Sequence, residues 1–354
     1  MAELLKVGIL GAGNAGSSHA AAYSRLPDVE VAGLWSRTRT RAEELAGKLD
    51  QSGLKVYDDW QEMIEQGGLD AVSIAVPPAL RREPIAAALE QGLHVLTEKP
   101  FTIHLSEARE LAQLAEEAKT IAAVSFNWRY APGSQVTWRA VQEGTIGQIL
   151  HISMQWRFRL TLDVQVASDL TSHIWHADMG GGFMREGGSH EFDRARFLAG
   201  LEFTKVVGRL PAIPYPGTDA DESYLLIAEL SSGGLGSFLG RFTPGQGERR
   251  SVLYGDEGTL ISTLNTVVRQ RRDDHEPVSL DIPEEDLCPE GIILIQHTWN
   301  RLISDFISAI RQGDLTRELV PHLPTFVDGL RVQELIAGAE RAERERHWVS
   351  LDEL

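Results

Sequence analysis

Apolar and polar positions along this chain follow two successive rhythms. Over the first ~125 residues, short apolar runs alternate with stretches whose apolar positions repeat at helical spacing. The runs Lys6–Leu10, Val29–Trp35, Ala71–Val76, His94–Thr97 and Ile121–Ser125 predict strands; Ala15–Arg25, Thr40–Leu49, Arg82–Gln91 and Ser106–Lys119 predict helices. Ser106 is the expected cap of the last helix, with Glu107 and Glu110 in a first turn that suits the helix dipole. Strand–helix repeats of this size predict an α/β fold with a doubly wound parallel sheet.

After about Asn127 the rhythm changes. A helix over Gln135–Glu143 leads into a long alternating run, Ile149–Phe158. Further strands are expected at Phe203–Arg209, Glu222–Leu230, Leu235–Phe242, Arg249–Tyr254, Gly258–Ile261 and Thr266–Gln270, a spacing that predicts an open, largely antiparallel sheet. Two closing helices follow, one with a stripe of Trp299, Leu302, Ile303, Phe306 and Ile310, the other carrying Phe326, Leu330, Leu335 and Ile336. Asp273–Pro289 is acidic and holds three prolines, which reads as a surface excursion. The pattern divides the chain into domains 1–125 and 126–354.

Composition narrows the function. The 354 residues carry 34 Lys and Arg against 51 Asp and Glu, a net charge of −17. That balance argues against nucleic acid as a partner, since phosphate-backbone binding needs a basic footprint. The single cysteine, Cys288, cannot form an internal disulfide. No apolar run is long enough for a membrane span. The start, MAELLKVGIL, lacks the basic region and cleavage site of a secretory leader. A soluble cytoplasmic protein with no membrane partner is expected.

The candidate chemistry begins at Gly11-Ala12-Gly13-Asn14-Ala15-Gly16, a GxGxxG that follows the first strand and opens a helix. Gly11 would permit the tight turn, Gly13 the close approach of a pyrophosphate, and Gly16 the packing of helix on strand. The helix start, with Asn14 and Ala15, would supply N–H groups to the phosphates. Twenty residues on, at the end of the second strand, dinucleotide sites commonly place a carboxylate on the ribose. Here stand Ser36 and Arg37, with Arg41 close behind. A hydroxyl and guanidinium groups suit a 2′-phosphate, so the expected cofactor is NADP or NAD with a lean to NADP.

Downstream lie Glu98-Lys99-Pro100, then Gly180-Gly181-Gly182-Phe183-Met184-Arg185-Glu186-Gly187-Gly188-Ser189-His190-Glu191-Phe192-Asp193. With the glycine loop, His19, Asn127-Trp128-Arg129-Tyr130, Gly144–Ile149 and Gly255-Asp256-Glu257-Gly258-Thr259-Leu260, the chain resembles the Gfo/Idh/MocA oxidoreductases over nearly its whole length. The resemblance implies a Rossmann domain followed by an α/β domain. It also implies an open second-domain sheet that pairs copies into a homodimer or homotetramer, and a Lys99–Pro100 bond that is often cis. It places Val76, Pro77, Glu98 and Lys99 beside the cofactor, and assigns catalysis to Lys99, Glu186 and His190. Arg129, Trp156, Trp175, His176 and Asp193 would meet the substrate, with Arg157 and His173 further candidates; Asp193 could instead hold the imidazole.

The residue types suit the chemistry independently. Oxidising a secondary alcohol needs a group to take the hydroxyl proton, and a histidine has the proton affinity for it. An ammonium near the same oxygen stabilises the developing alkoxide, and a carboxylate can orient both groups. Glu186 stands where relatives usually carry Asp, so its carboxylate reaches about an ångström further. Pro78 and Arg81 depart from the family at the wall beside the nicotinamide ribose, and Trp175-His176-Ala177-Asp178 departs before the glycine run. His173, His176 and His190 fit no zinc spacing, so no metal is expected. The polar stretch from Leu160 to His176 reads as a pocket-lining loop. The leading expectation is an NAD(P)-dependent oxidoreductase for a sugar, polyol or inositol-like alcohol or ketone. A redox-assisted glycosidase or lyase that retains NAD, and a non-catalytic nucleotide sensor, are the alternatives.

Overall fold

A computed structural model describes residues 4–51, 53–160, 172–213, 216–314 and 318–354. Packing divides the chain into two compact units: Met1–Asn127 with Gly291–Leu330, and Trp128–Glu290 with Arg331–Leu354. Each unit is therefore assembled from two chain segments, where the apolar rhythm suggests a single cut at 125/126.

The first unit begins β1 (Leu5–Leu10), α1 (Asn14–Tyr23), β2 (Val29–Trp35), α2 (Arg39–Leu49), β3 (Lys55–Val56) and α3 (Trp60–Gln66). It continues with β4 (Ala71–Ile74), α4 (Arg82–Glu90), β5 (His94–Thr97), α5 (Leu105–Ala118) and β6 (Ala122–Val124). The six strands form a parallel sheet in the order β3-β2-β1-β4-β5-β6. β1, β4 and β5 are buried along almost their whole length, as central parallel strands covered on both faces must be. The order reverses between β1 and β4, so the loops leaving these two strands flank the crevice where such sheets bind ligands.

The second unit holds α6 (Pro132–Gln142), β7 (Ile149–Arg159) and α7 (Ser189–Ala199). Then come β8 (Phe203–Arg209), β9 (Ser223–Leu230), β10 (Leu235–Thr243), β11 (Glu248–Gly255), β12 (Gly258–Ser262), β13 (Val267–Arg271) and β14 (Val278–Leu280). With β15 (Val349–Ser350) they make a nine-stranded sheet, β14-β13-β12-β11-β7-β10-β9-β8-β15. Among the described residues only the β7–β10 pair of this sheet is parallel. One face is packed: Tyr224, Leu226, Ala228, Phe238 and Phe242 are buried, with α6 and α7 lying on this unit's strands. Leu225, Ile227, Leu235, Leu239 and Tyr254 on the opposite face are exposed. That is the period-2 alternation of a sheet covered on one side.

Two long helices close the chain. α8 (Leu294–Gln312) buries Leu302, Ile303, Phe306, Ile307 and Ala309 and packs on α1 in the first unit. α9 (Phe326–Glu345) begins in the first unit and continues in the second. The segment before α9 covers the edge of β6, where Val124 N donates to Pro324 O at 2.9 Å, satisfying backbone groups an open edge would expose.

Several local expectations need correction. His104, not Ser106, precedes α5; its N–H donates to Glu107 Oε2 at 3.2 Å, and Ser106 already lies inside the helix. β3 and α3 carry too few residues for a period to show, although Asp59 caps α3 by accepting from Gln61 N at 2.9 Å. The acidic excursion over Asp273–Pro289 includes the short edge strand β14. Most of the stretch expected to line a pocket, 161–171, lies outside the described residues.

Candidate active site

The first unit carries the glycine loop and Lys99. Gly11 leaves β1 with φ of +106°, and a Cβ there would come within 2.6 Å of Ala75 O. A Cβ on Gly16 would overlap the Gly11 carbonyl oxygen, so the start of α1 can lie this close to the loop only with glycine. Gly13 differs: a Cβ there meets nothing within 4 Å, so the space over the loop is open. Beside that space the first N–H groups of α1, from Asn14 and Ala15 onward, have no acceptor within their own helix. Loop and helix end fit a dinucleotide pyrophosphate.

At the end of β2, Ser36 is half-buried while Arg37 and Arg41 are exposed. Arg39 is engaged, bonding Glu43 at 2.8 Å and pairing with Asp58. Neither Arg37 nor Arg41 makes an ion pair among the described residues, which leaves their guanidinium groups for an outside anion.

Beyond β4, Val76 is buried and Pro77 half-buried. Arg81 is 4 % exposed; its Nε donates to Val76 O at 2.7 Å and its Nη1 to Glu98 O at 2.5 Å and to Pro100 O. It therefore clamps the end of β4 to the turn after β5, where the sequence suggests a cofactor-facing wall. Glu98 is the hub of that turn. Its Oε1 takes His19 Nε2 at 3.1 Å and Trp299 Nε1 at 3.3 Å, and its Oε2 accepts from Lys99 N at 3.1 Å. His19 Nδ1 meets Ser73 Oγ at 2.7 Å, which fixes the ring between β4 and the turn. Burial pushes the Glu98 carboxyl up, but the His19 bond and charge, with Lys99 and Arg81, bring it down to about 2. Lys99 follows directly, half-buried, its peptide to Pro100 cis. So Glu98 serves as an internal anchor for Lys99.

The second unit carries His190 and Glu186. A π-helical turn, Met184–Gly188, runs straight into α7, which starts at Ser189. Asp221 supports the turn by accepting from Met184 N at 2.8 Å. His190 is 5 % exposed, and the rings of Trp128 and Trp156 each lie 6.3 Å from its own, centroid to centroid. Glu186 meets His173 Nε2 at 3.2 Å, a carboxylate–imidazole pair that is still partly exposed.

Arg129 and Asp193 come together, but on each other. The guanidinium donates through Nε at 2.8 Å and Nη2 at 2.5 Å to the two carboxylate oxygens, with both side chains buried. The pair ties the turn after β6 to α7 and spends on that bond the charge expected to meet substrate. Trp175 is buried, its ring 6.0 Å from that of Phe242, which makes it a packing residue. His176 is half-exposed, and Arg157 is exposed and paired with Glu248.

Arg249, on β11, escaped the sequence reading. Its guanidinium lies between the indoles of Trp128 and Trp156 and bonds Glu191, the residue after His190. Burial lowers its pKa to about 10, opposed by the Glu191 carboxylate. The signal was present: in Arg249, Ser251 and Leu253 the alternation of β11 puts an arginine on the core face, which demands a partner.

Residues 5–126 match the family described as "Oxidoreductase family, NAD-binding Rossmann fold", and residues 134–261 match the GFO/IDH/MocA C-terminal domain. The rhizopine catabolism protein MocA of Rhizobium meliloti is 30% identical over 68% of this chain and 73% of its own. The scyllo-inositol 2-dehydrogenase (NAD(+)) of Bacillus subtilis is 28% identical over 75% of each chain. Among solved structures, a levoglucosan dehydrogenase in complex with NADH and levoglucosan superposes with a TM-score of 0.86 at 22% identity, over 98% of this chain and 99% of that one. At that identity the likeness is one of fold.

Proposed function

The chain belongs to the GFO/IDH/MocA oxidoreductase family, and from that premise we propose that it is an NAD(P)-dependent dehydrogenase or reductase. Its substrate class is a secondary alcohol or ketone on a sugar, polyol or inositol-like ring. The observation that carries this reading is that Lys99 and His190 each sit in a built setting. Lys99 is half-buried behind the Glu98 anchor, and His190 is enclosed by Trp128 and Trp156. When bound, the dinucleotide supplies the nicotinamide carbon that accepts or returns hydride. Gly11, Gly13, Asn14, Ala15 and Gly16 would hold its phosphates, with Val76, Pro77, Glu98 and Lys99 along its nicotinamide half.

In the oxidative direction His190 takes the hydroxyl proton, and the role of the Lys99 ammonium is to favour developing negative charge. Glu186, held by His173, and the partly exposed His176 orient neighbouring hydroxyls. Trp156 offers an aromatic face to ring C–H groups. Arg129 and Asp193 tie the second unit internally, and Trp175 packs against Phe242. The test is a panel of polyols, inositols, sugars and anhydrosugars with NAD+ and NADP+, followed at 340 nm. Turnover of a cyclic polyol or sugar supports the reading, and no absorbance change with any of them counts against it.

NADP is the proposed preference, because Arg37 and Arg41 are exposed beside Ser36 and make no ion pair among the described residues. The relative from Bacillus subtilis is named for NAD(+), so the preference belongs to this chain's own residues. A second copy is the proposed cover for the sheet face bearing Leu225, Ile227, Leu235, Leu239 and Tyr254. Light scattering should then give a dimer or tetramer, and Leu225→Lys with Leu239→Lys should reduce it.

One observation favours a second reading. The His173–Glu186 pair is a further acid/base couple, as a cofactor-retaining lyase or glycosidase would need to remove a C–H proton beside a transient ketone. Release of p-nitrophenol from nitrophenyl glycosides, without net change at 340 nm, would select it.

A further inference from the structure

We propose that Arg249 is a positioning residue for the imidazole of His190, acting through Trp128, Trp156 and Glu191; this rests on the reading of His190 as the acid/base group. The guanidinium carbon lies 4.6 Å from the ring centroid of Trp128 and 4.0 Å from that of Trp156. Both indoles also bear on His190, each at 6.3 Å between centroids. In its own plane, Arg249 Nε donates to Glu191 Oε1 at 2.6 Å, and Nη2 reaches the same carboxylate. Glu191 is joined to His190 by one peptide bond. The contacts therefore close a ring, from the imidazole through either indole to Arg249, on to Glu191, and back along α7 to His190.

The slot asks for a planar cation. A guanidinium can stack on two aromatic faces while its in-plane N–H groups meet a carboxylate; a lysine ammonium offers a point charge without the flat faces. The register gives the same picture, because Arg249 is the direct cross-strand partner of Trp156 on β7. Arg194 makes the device separable from folding. Its Nη1 donates to Glu191 Oε2 at 3.1 Å and its Nε to Ser134 Oγ at 3.1 Å. Glu191 would thus keep a cationic partner, and α7 its tie to α6, if Arg249 were shortened. Packing alone needs neither the charge nor the planarity. Positioning needs both, since without the spacer the two indoles are free to close on each other and release the ring.

The test compares wild type, Arg249→Ala, Arg249→Lys and His190→Ala, with circular dichroism confirming the fold. The primary readout is the rate of diethyl pyrocarbonate modification at His190, mapped by peptide mass spectrometry with and without dilute guanidinium chloride. The second is turnover of myo-inositol with each dinucleotide. Arg249→Ala should speed modification several-fold and lower kcat by about 10²-fold, with KM and dinucleotide affinity nearly unchanged. Arg249→Lys should restore neither. Guanidinium should partly reverse both effects in Arg249→Ala, and sodium chloride at equal ionic strength should not. Wild-type reactivity at His190 in a folded Arg249→Ala, or full recovery in Arg249→Lys, overturns the proposal. Full turnover in His190→Ala would instead overturn the acid/base reading beneath it.

Discussion

Replacing Glu98 by Gln tests the anchor behind Lys99, and the structure sets its size. The carboxyl falls from 4.5 to about 2 because His19 hydrogen-bonds it, with Lys99 and Arg81 adding charge, against the burial that alone would raise it. That drop is worth about 3 kcal/mol of stability at neutral pH. The sign follows from the direction. The folded state holds the ionised form, so the contribution is complete above the unfolded value near 4.5 and fades as pH falls toward 2. Between pH 5.5 and pH 3.5 the wild type should lose about 1 kcal/mol from this group alone. Glu98→Gln is isosteric and keeps one acceptor, but it carries no charge. Urea unfolding at both pH values, compared between wild type and variant, cancels the other carboxylates. The variant should be less stable by about 2–3 kcal/mol at pH 7, with the gap narrowing at pH 3.5. A gap that stays constant, or widens, on acidification would refute the ionised, His19-bonded state of Glu98.

Other outcomes follow from particular contacts. Arg129→Met strands the Asp193 carboxylate in the core, so urea unfolding should show a loss of about 3–5 kcal/mol; a loss under 1 would deny the pair its buried character. Gly16→Ala drives a methyl into the Gly11 carbonyl, and the displaced loop should weaken dinucleotide binding about tenfold, measured by fluorescence titration. Arg37→Ala should weaken NADPH about tenfold and leave NADH unchanged, narrowing the preference; equal wild-type affinities would remove the argument from Ser36 and Arg37.

Much of the fold is visible in residue order because the first sheet's central strands are short apolar runs and its helices are amphipathic. β2 and β5 coincide with the expected spans, Val29–Trp35 and His94–Thr97. The segments that escaped, β3 and the π turn at Met184–Gly188, carry too few residues or no period. The glycine loop was legible because Gly11 and Gly16 answer local steric demands and Gly13 leaves the space over the loop open. The partners of the charged residues were not. Arg129 and Asp193 are 64 residues apart in sequence, Arg249 and Glu191 are 58 apart, and nothing in either neighbourhood names the other. The family resemblance suggested substrate contacts for the first pair, with Asp193 alternatively holding the imidazole, and in the structure the two bond each other. Folding also made Arg249, an unremarked strand residue, the partner of Glu191, the residue after the proposed acid/base group.

The central claim is that His190 handles the substrate proton. It is tested most directly by single-turnover hydride transfer at 340 nm in His190→Ala, using a substrate identified from the panel and saturating dinucleotide. The account predicts a rate lowered by about 10²–10⁴-fold with dinucleotide affinity unchanged. A rate close to that of the wild type would contradict it.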